Sequence, residues 1–211
     1  MKRCIKTLVI LVAAVLTACT SISAVKYAET PERPVLPQIP TYIMGTGRVP
    51  VQSLASFLRQ HNPKVSEKEA MLMATLYHNE GAAEGVNADI AFVQMCLETS
   101  FLRFGGLVTP DMHNYCGLGS IGPEKPGERF PTAQIGVRAH IQHLKAYGST
   151  EGLRQPLADP RFKYVRRGSA PTIHDLAGRW ARDQAYGTKL EDLLNRLYRS
   201  AFDGKATQRP R

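Results

Sequence analysis

The sequence predicts a mainly α-helical domain over residues 50–203 that carries one short hairpin or loop lobe. Several segments repeat apolar residues at the three- and four-residue spacing of a helix. The long break between them, residues 107–132, is rich in glycine and proline and leaves room only for short strands. An apolar share of 43% and a charged share of 21% are ordinary for a globular chain of 211 residues.

The helices are predicted from their ends as well as from their apolar stripes. Ser66 and Glu69 form a capping box, and Asn87 stands at the N-cap of the following segment. Glycines are expected to end these two helices, at Gly81 and at Gly105. The predicted helical segments are 51–62, 66–81, 87–106, 132–148, 172–181 and 188–202, and the last has the clearest apolar stripe.

The first 18 residues resemble an export leader. A basic start and an apolar run too short to span a bilayer lead into "LTAC", which resembles the lipobox that is cleaved before a cysteine. We therefore expect Cys19 to be lipidated and to anchor the protein on the membrane in the cell envelope; an ordinary secretory signal or a short anchor is the alternative. Loss of the leader lowers the net charge from +9 to +6, which suits an anionic surface or polymer.

Residues 19–49 are predicted to form a tether, because five prolines between Glu29 and Pro50 favour an extended chain. A strap packed along the domain is the alternative for residues 41–49. The tail, residues 204–211, is expected to be loose. Besides Cys19, the exported chain keeps Cys96 and Cys116, for which a disulfide bridge and two buried thiols both remain open.

Glu98 is the candidate catalytic residue. It lies near the C-terminal end of its predicted helix, among the apolar residues of "QMCLETSFLRF". Helix C-terminal carbonyls and apolar neighbours both disfavour a carboxylate and raise its pKa. A glutamic acid that is protonated near neutral pH can act as the general acid in glycoside cleavage. Taken alone, Glu98 is equally compatible with a surface glutamate that happens to end a helix.

Three stretches together resemble the glucosaminidases of glycoside hydrolase family 73. They are "CLETS" at 96–100, "HNYCGLG" at 113–119 and "AGRWARDQAYGTKLEDLL" at 177–194, in the order of the family's motifs. The resemblance covers roughly residues 68–199. It implies a lysozyme-like helical fold with a small hairpin or loop lobe, and a general-acid glutamate at the end of a helix.

The resemblance also implies roles for individual residues. Glu98 matches the catalytic acid, and Tyr186 matches the cleft tyrosine, whose hydroxyl would hold the substrate's acetamido group or a water. Asn114 and Tyr115 match the turn beneath the sugar. Gln94, one helical turn before Glu98, would orient its carboxyl or contact the sugar.

The chain departs from the family pattern in the inserted lobe. Cys116 stands where an aromatic residue is usual, and the lobe is reduced to "SIGPEKPGERF" at 120–130. Glu128 is the preferred second catalytic carboxyl, ahead of Glu124 and Asp111, because it enters the returning strand. An exposed loop charge is the alternative for each acid. Participation of the substrate's own acetamido group needs no second acid.

No cofactor or nucleic-acid partner is indicated, and we expect a monomer. His140 and His143 are one helical turn apart but have no further ligand in a recognised pattern, so no metal site is predicted. The basic segment "KYVRRG" at 163–168 is either solvated or contacts an anionic wall polymer or phospholipid.

The resulting hypothesis is a peptidoglycan hydrolase, an endo-β-N-acetylglucosaminidase that cleaves the β-1,4 bond between N-acetylglucosamine and N-acetylmuramic acid. Two alternatives stay open. One is a muramidase or lytic transglycosylase of the same fold, and the other is a cell-wall-binding lipoprotein without catalysis.

Overall fold

The computed structural model describes residues 36–203, which form five α-helices and no β-strand. The helices are α1 (Val51–His61), α2 (Glu67–Glu84), α3 (Ala88–Glu98), α4 (Ala133–Gly148) and α5 (Tyr186–Phe202). Short 3₁₀ turns at Pro110–Met112, Phe162–Tyr164 and His174–Leu176 lie in the connections. The predicted mainly helical, lysozyme-like fold class is confirmed. Among the described helices, none combines the length and apolarity needed to cross a bilayer.

Helix α3 is the centre of the domain. Every residue from Ala88 to Cys96 is buried, because the other four helices pack around it. The predicted N-cap is present, since Asn87 Oδ1 accepts from the backbone N–H groups of Asp89 and Ile90 at 3.0 and 3.3 Å. The Tyr198 hydroxyl of α5 donates to the buried Asp89 carboxylate at 2.8 Å. Glu98 therefore ends a helix that is fixed on all sides.

Helix α2 begins as predicted and ends later. Ser66 Oγ accepts from the Glu69 N–H at 3.1 Å, but the helix continues through Gly81 to Glu84 and ends at Gly85, whose φ is 75°. A Cβ at position 81 would lie 2.9 Å from a backbone carbonyl oxygen. The expected stop at Gly81 is wrong because this glycine allows close packing of the chain that follows the helix.

Helix α3 also differs from its prediction, since it ends at Glu98 and not at Gly105. Residues 100–102 have φ values of 52°, 58° and 60°, which form one left-handed turn. Left-handed backbone costs about 1–2 kcal/mol for each residue other than glycine. Thr99 stabilises the turn, because its Oγ1 accepts from the Leu102 N–H at 2.9 Å. Strain of this kind is often found beside functional sites.

Residues 41–49 form a strap along the helices, so the tether interpretation is wrong for this part. Ile43 is fully buried, its N–H donates to the Pro171 carbonyl at 2.9 Å, and its carbonyl accepts from the Asn87 N–H at 2.8 Å. The domain therefore begins before the predicted boundary at residue 50. The leader, Cys19, most of the tether and the tail lie outside the described residues.

The inserted lobe is a loop and not a β-hairpin. Within residues 107–132 the described backbone pairing is a single antiparallel bridge between Gly122 and Lys125. At the predicted helix 172–181 the contacts of a capping box are present, because Asp175 Oδ2 accepts from the Thr172 N–H at 3.0 Å and Thr172 Oγ1 accepts from the Asp175 N–H at 3.4 Å. The helix itself is nevertheless reduced to the His174–Leu176 turn. The chain from 177 to 185 is thereby free to bring Trp180 to α3.

The predicted apolar stripe of α5 is confirmed. Its leucines at 190, 193, 194 and 197 are all buried against the core. A buried ion pair joins α4 to α2, with Lys145 Nζ 2.9 Å from Glu84 Oε2 and both side chains fully buried.

Candidate active site

Glu98 stands in the wall of a cavity of about 430 Å³. This volume is within the range of about 300–1,000 Å³ that is usual for ligand sites. The left-handed turn after α3 forms one wall and the inserted loop forms the other. The further lining residues are Thr99, Ser100, Phe104, Gly105, Gly106, Leu107, Val108, Asn114, Gly117 and Ser120.

Two side chains from the start of α5 and the segment before it hold the Glu98 carboxyl. Trp180 Nε1 donates to Glu98 Oε1 at 3.0 Å, and the Tyr186 hydroxyl donates to the same oxygen. Among the described residues, none donates a hydrogen bond to Oε2. The carboxyl is therefore fixed through one oxygen, and the second remains available to a ligand.

A chain of buried hydrogen bonds continues from Tyr186 into the core. Gln94 Nε2 donates to the Tyr186 hydroxyl at 2.8 Å, and the Gln94 Oε1 lies 2.9 Å from His140 Nε2. His140 Nδ1 in turn lies 2.8 Å from the Tyr77 hydroxyl. Since an amide oxygen only accepts, His140 carries its proton on Nε2 and accepts at Nδ1 from Tyr77. Every donor in this series of hydrogen bonds thus points towards Glu98.

The environment shifts the pKa of Glu98 and that of His140. Glu98 is exposed to solvent in the cavity, but the protein atoms packed around its carboxyl reduce its hydration. This partial desolvation raises the pKa of Glu98. Donation from Tyr186 and Trp180 opposes that rise without cancelling it. Burial lowers the pKa of His140 to about 3, with a smaller contribution from His143. His140 is therefore neutral at ordinary pH, as its role in the chain requires.

Asn114 shapes the inserted loop. Its Nδ2 donates to the Leu118 and Glu128 carbonyls at 2.9 and 3.0 Å, and its Oδ1 accepts from the Leu118 N–H at 2.9 Å. Asn114 also lines the cavity. Tyr115 does not line it, because its ring is 6% exposed and packs in the main core. The prediction that Tyr115 contacts the sugar is therefore wrong, and Tyr115 is a core residue.

Gln94 also differs from its prediction as a sugar contact. It is fully buried, so a sugar in the cavity cannot reach it. Of the two roles considered for Gln94, orientation of the carboxyl is compatible with its position, and it acts through Tyr186. Tyr186 is 4% exposed, and its hydroxyl is already bonded to Glu98 and Gln94.

The preferred second acid, Glu128, does not line the cavity with Glu98. The Glu128 carboxylate lies over Gly119, where an added Cβ would meet Oε1 at 2.9 Å, and Glu128 is not among the residues that line the cavity. Glu124 lies in the exposed tip of the loop. Asp111 bonds Thr109 and Arg129, each at 2.6 Å, and these contacts lower its pKa to about 2.

Comparison with known proteins identifies the family. A family model described as glucosaminidase, mannosyl-glycoprotein endo-β-N-acetylglucosaminidase, matches residues 74–199. The chain belongs to the glucosaminidase family. A protein of Borreliella burgdorferi named only as an uncharacterized protein is 40% identical over 156 residues, which are 74% of this chain and 76% of that protein. No solved structure matches the chain. Membership makes the chain a glycoside hydrolase of the endo-β-N-acetylglucosaminidase class.

Sequence reasoning missed three residues of this glucosaminidase site. Trp180 is the single tryptophan of the chain and lies inside the third stretch that resembles the family. Its position in that stretch is the sequence signal that could have identified it. His140 was considered only as a metal ligand, and Tyr77 was not singled out. Neither residue has a local sequence signal. His140 contacts Gln94, which is 46 positions away, and Tyr77 contacts His140, which is 63 positions away.

The remaining predicted features of the glucosaminidase domain have structural explanations. Cys96 and Cys116 are free and buried in two different core clusters, so the disulfide interpretation is wrong. Both histidines of the pair considered as metal ligands have hydrogen-bond partners. His143 Nδ1 lies 2.8 Å from Asp159 Oδ2, and His140 belongs to the series of hydrogen bonds that leads to Glu98. Residues 36–203 contain no cluster of three His, Cys, Asp or Glu side chains that could hold a metal ion.

Proposed function

We propose that this glucosaminidase cleaves the β-1,4 bond between N-acetylglucosamine and N-acetylmuramic acid in peptidoglycan, with Glu98 as the general acid. The observation that carries the proposal is the geometry of one carboxyl. Glu98 lines a cavity of about 430 Å³, two donors hold its Oε1, and none of the described residues donates to its Oε2.

This geometry assigns a task to each oxygen. Oε2 carries the proton and transfers it to the glycosidic oxygen as the bond breaks. Oε1 keeps the hydrogen bonds from Trp180 and Tyr186, which stabilise the carboxylate that forms. The raised pKa of Glu98 keeps the acid protonated closer to neutral pH, where a general acid is most effective.

The second catalytic group is the acetamido oxygen of the substrate. Support comes from the cavity wall, in which Glu98 is the sole carboxylate among the described lining residues. A substrate-assisted reaction needs no second acid and retains the anomeric configuration. Proton NMR of the first product formed from a soluble glycan would show the β-anomer. An initial α-anomer would contradict this step and indicate a water activated by a base.

The cellular setting is also part of the proposal. Lipidation at Cys19 would hold a monomeric enzyme on the membrane in the cell envelope, next to its insoluble substrate. The leader and the net charge of the chain support this. Metabolic labelling with a palmitate analogue tests the lipid, with Cys19→Ser as the variant expected to lose the label. Light scattering in detergent tests the monomer.

The decisive experiment incubates the full-length chain with purified peptidoglycan and reduces the products with borohydride before mass spectrometry. Wild type should give reduced N-acetylglucosamine ends. Glu98→Gln should give none while it still sediments with the wall, whereas Glu128→Gln, the matched control, should keep turnover. Reduced muramic ends or anhydro-muropeptides would instead identify a muramidase or a lytic transglycosylase. If wild type sediments with the wall but releases no products, the protein is a wall-binding lipoprotein without catalysis.

A further inference from the structure

A second cavity, of about 450 Å³, lies where the end of α4 meets the segment 164–169. Tyr147, Tyr164, Arg166, Arg167 and Arg179 line most of it, and we call it the basic cavity. It contains the "KYVRRG" segment, for which the proposed chemistry at Glu98 gives no role. Its tyrosines and guanidinium groups are suited to an anionic ligand that also offers hydrogen bonds.

The positive charge of the basic cavity is only partly compensated by the domain. Within residues 36–203, none of its three arginines forms an ion pair. Hydrogen bonds from Thr172 and, after them, the nearby charge of Arg179 lower the pKa of the Asp175 carboxyl. Arg179 Nη1 also donates to the Asp175 carbonyl at 2.9 Å. Arg167 donates to two backbone carbonyls. Arg166 is therefore the cation that remains free to attract an anion.

The basic cavity is also held in shape. The Gly168 N–H donates to the Ala146 carbonyl at 3.0 Å, and the Ala170 N–H donates to the Tyr147 carbonyl at 2.9 Å, which joins the segment to α4. Arg167 Nε donates to the Ser149 carbonyl at 3.2 Å, and its guanidinium lies 4.4 Å from the Phe162 ring centre. The Arg166 side chain makes no hydrogen bond within the described residues, so its donors remain for a ligand.

Two aromatic side chains connect the basic cavity to the proton donor. The Tyr147 ring, which lines the cavity, has its centre 5.8 Å from that of Trp180, and Trp180 Nε1 is 3.0 Å from Glu98 Oε1. The Tyr147 hydroxyl also donates to the Arg179 carbonyl at 3.1 Å. Tyr147 and Trp180 are therefore the side chains through which the wall of the basic cavity adjoins Glu98.

We propose that the basic cavity binds the carboxylates of the peptide stem, so that the preferred substrate is glycan that carries its peptides. The inference rests on the proposed function. The stem branches from muramic acid, which is one of the two sugars that flank the scissile bond, and its free carboxylates match unpaired guanidinium groups. Arg166 supplies the free charge, and Tyr147 and Tyr164 form the walls.

The test compares two soluble substrates with the full-length enzyme. One is glycan with its stems, and the other is the same glycan after an amidase has removed them. Arg166→Glu should lower kcat/KM on the peptide-bearing glycan about fivefold, as expected for one exposed charge pair. It should leave kcat/KM on the stripped glycan unchanged. Arg199→Glu, the matched charge reversal on an exposed position of α5, should change neither value.

Equal effects of Arg166→Glu on both substrates, or no effect on either, would overturn the inference. It would also be overturned if the Cys19→Ser form, which lacks the proposed lipid, bound phosphatidylglycerol vesicles, its Arg166→Glu derivative did not, and the two substrates were cleaved in an unchanged ratio, because the cavity would then face the membrane. If wild type cleaves neither glycan, the proposed function fails by itself. Calorimetric titration with a soluble N-acetylmuramyl peptide then decides: binding that Arg166→Glu weakens supports the inference, and no binding refutes it.

Discussion

Replacement of Tyr186 by phenylalanine should move the pH dependence of cleavage to higher pH. A general acid works only while protonated, so with Glu98 as the proposed acid we expect activity to fall as the pH rises through the pKa of Glu98. The Tyr186 hydroxyl donates to the Glu98 carboxylate and lowers that pKa. Tyr186→Phe removes the donor, disfavours the charged form and raises the pKa of Glu98.

The size of the shift follows from the contacts that remain. A hydrogen bond to a charged group contributes about 1.5–3 kcal/mol. The lower end applies here, because Glu98 reaches solvent in the cavity and Trp180 still donates to Oε1 at 3.0 Å. At 1.36 kcal/mol for each pKa unit, the alkaline limb should move upward by about one pH unit. The maximal rate should also fall, because the carboxylate formed during cleavage loses one donor.

The assay measures kcat/KM on peptidoglycan from pH 4 to pH 9 for wild type and two variants. Tyr198→Phe is the matched control, because it removes another phenol-to-carboxylate hydrogen bond, the 2.8 Å contact with Asp89, away from the cavity. It should lower stability and leave the alkaline limb in place. An alkaline limb that stays fixed or moves to lower pH in Tyr186→Phe would refute the role assigned to this hydroxyl.

Three further predictions concern the stability and the thiols of the domain. Lys145→Met leaves Glu84 buried without its cation and should lower the free energy of unfolding in urea by about 3–5 kcal/mol. Lys189→Met, which breaks the exposed pair with Asp183, should leave the free energy of unfolding nearly unchanged. His140, with a folded pKa of about 3, must gain a proton on unfolding. Stability should therefore fall by about 1.4 kcal/mol per pH unit as the pH drops from about 6.5 towards about 3, and His140→Gln should remove this part of the slope in urea titrations. Both cysteines of the described domain should react with a thiol reagent in denaturant and be protected without it, whereas a non-reacting pair in denaturant would indicate a disulfide.

The sequence by itself determined the elements whose signals are local. The side chains of Ser66 and Asn87 cap helices by bonding backbone groups two or three residues away, so their role is visible in a short window. The leucine stripe of α5 follows from the helical period for the same reason. Glu98 was also found from the sequence, because an acid in an apolar helix end stands out and its neighbours match a family motif.

Only the tertiary structure decided which groups surround Glu98. Trp180 and Tyr186 reach it from 82 and 88 residues away, and no local pattern encodes such a pairing. The prediction that α2 ends at Gly81 is wrong because the sequence does not show that Val86 and Ala88 pack against this glycine. Local capping contacts determine where α2 and α3 start, whereas packing between distant segments decides which side chains meet. Glu98 was therefore predictable as the candidate acid, but the series of donors that holds its carboxyl was not.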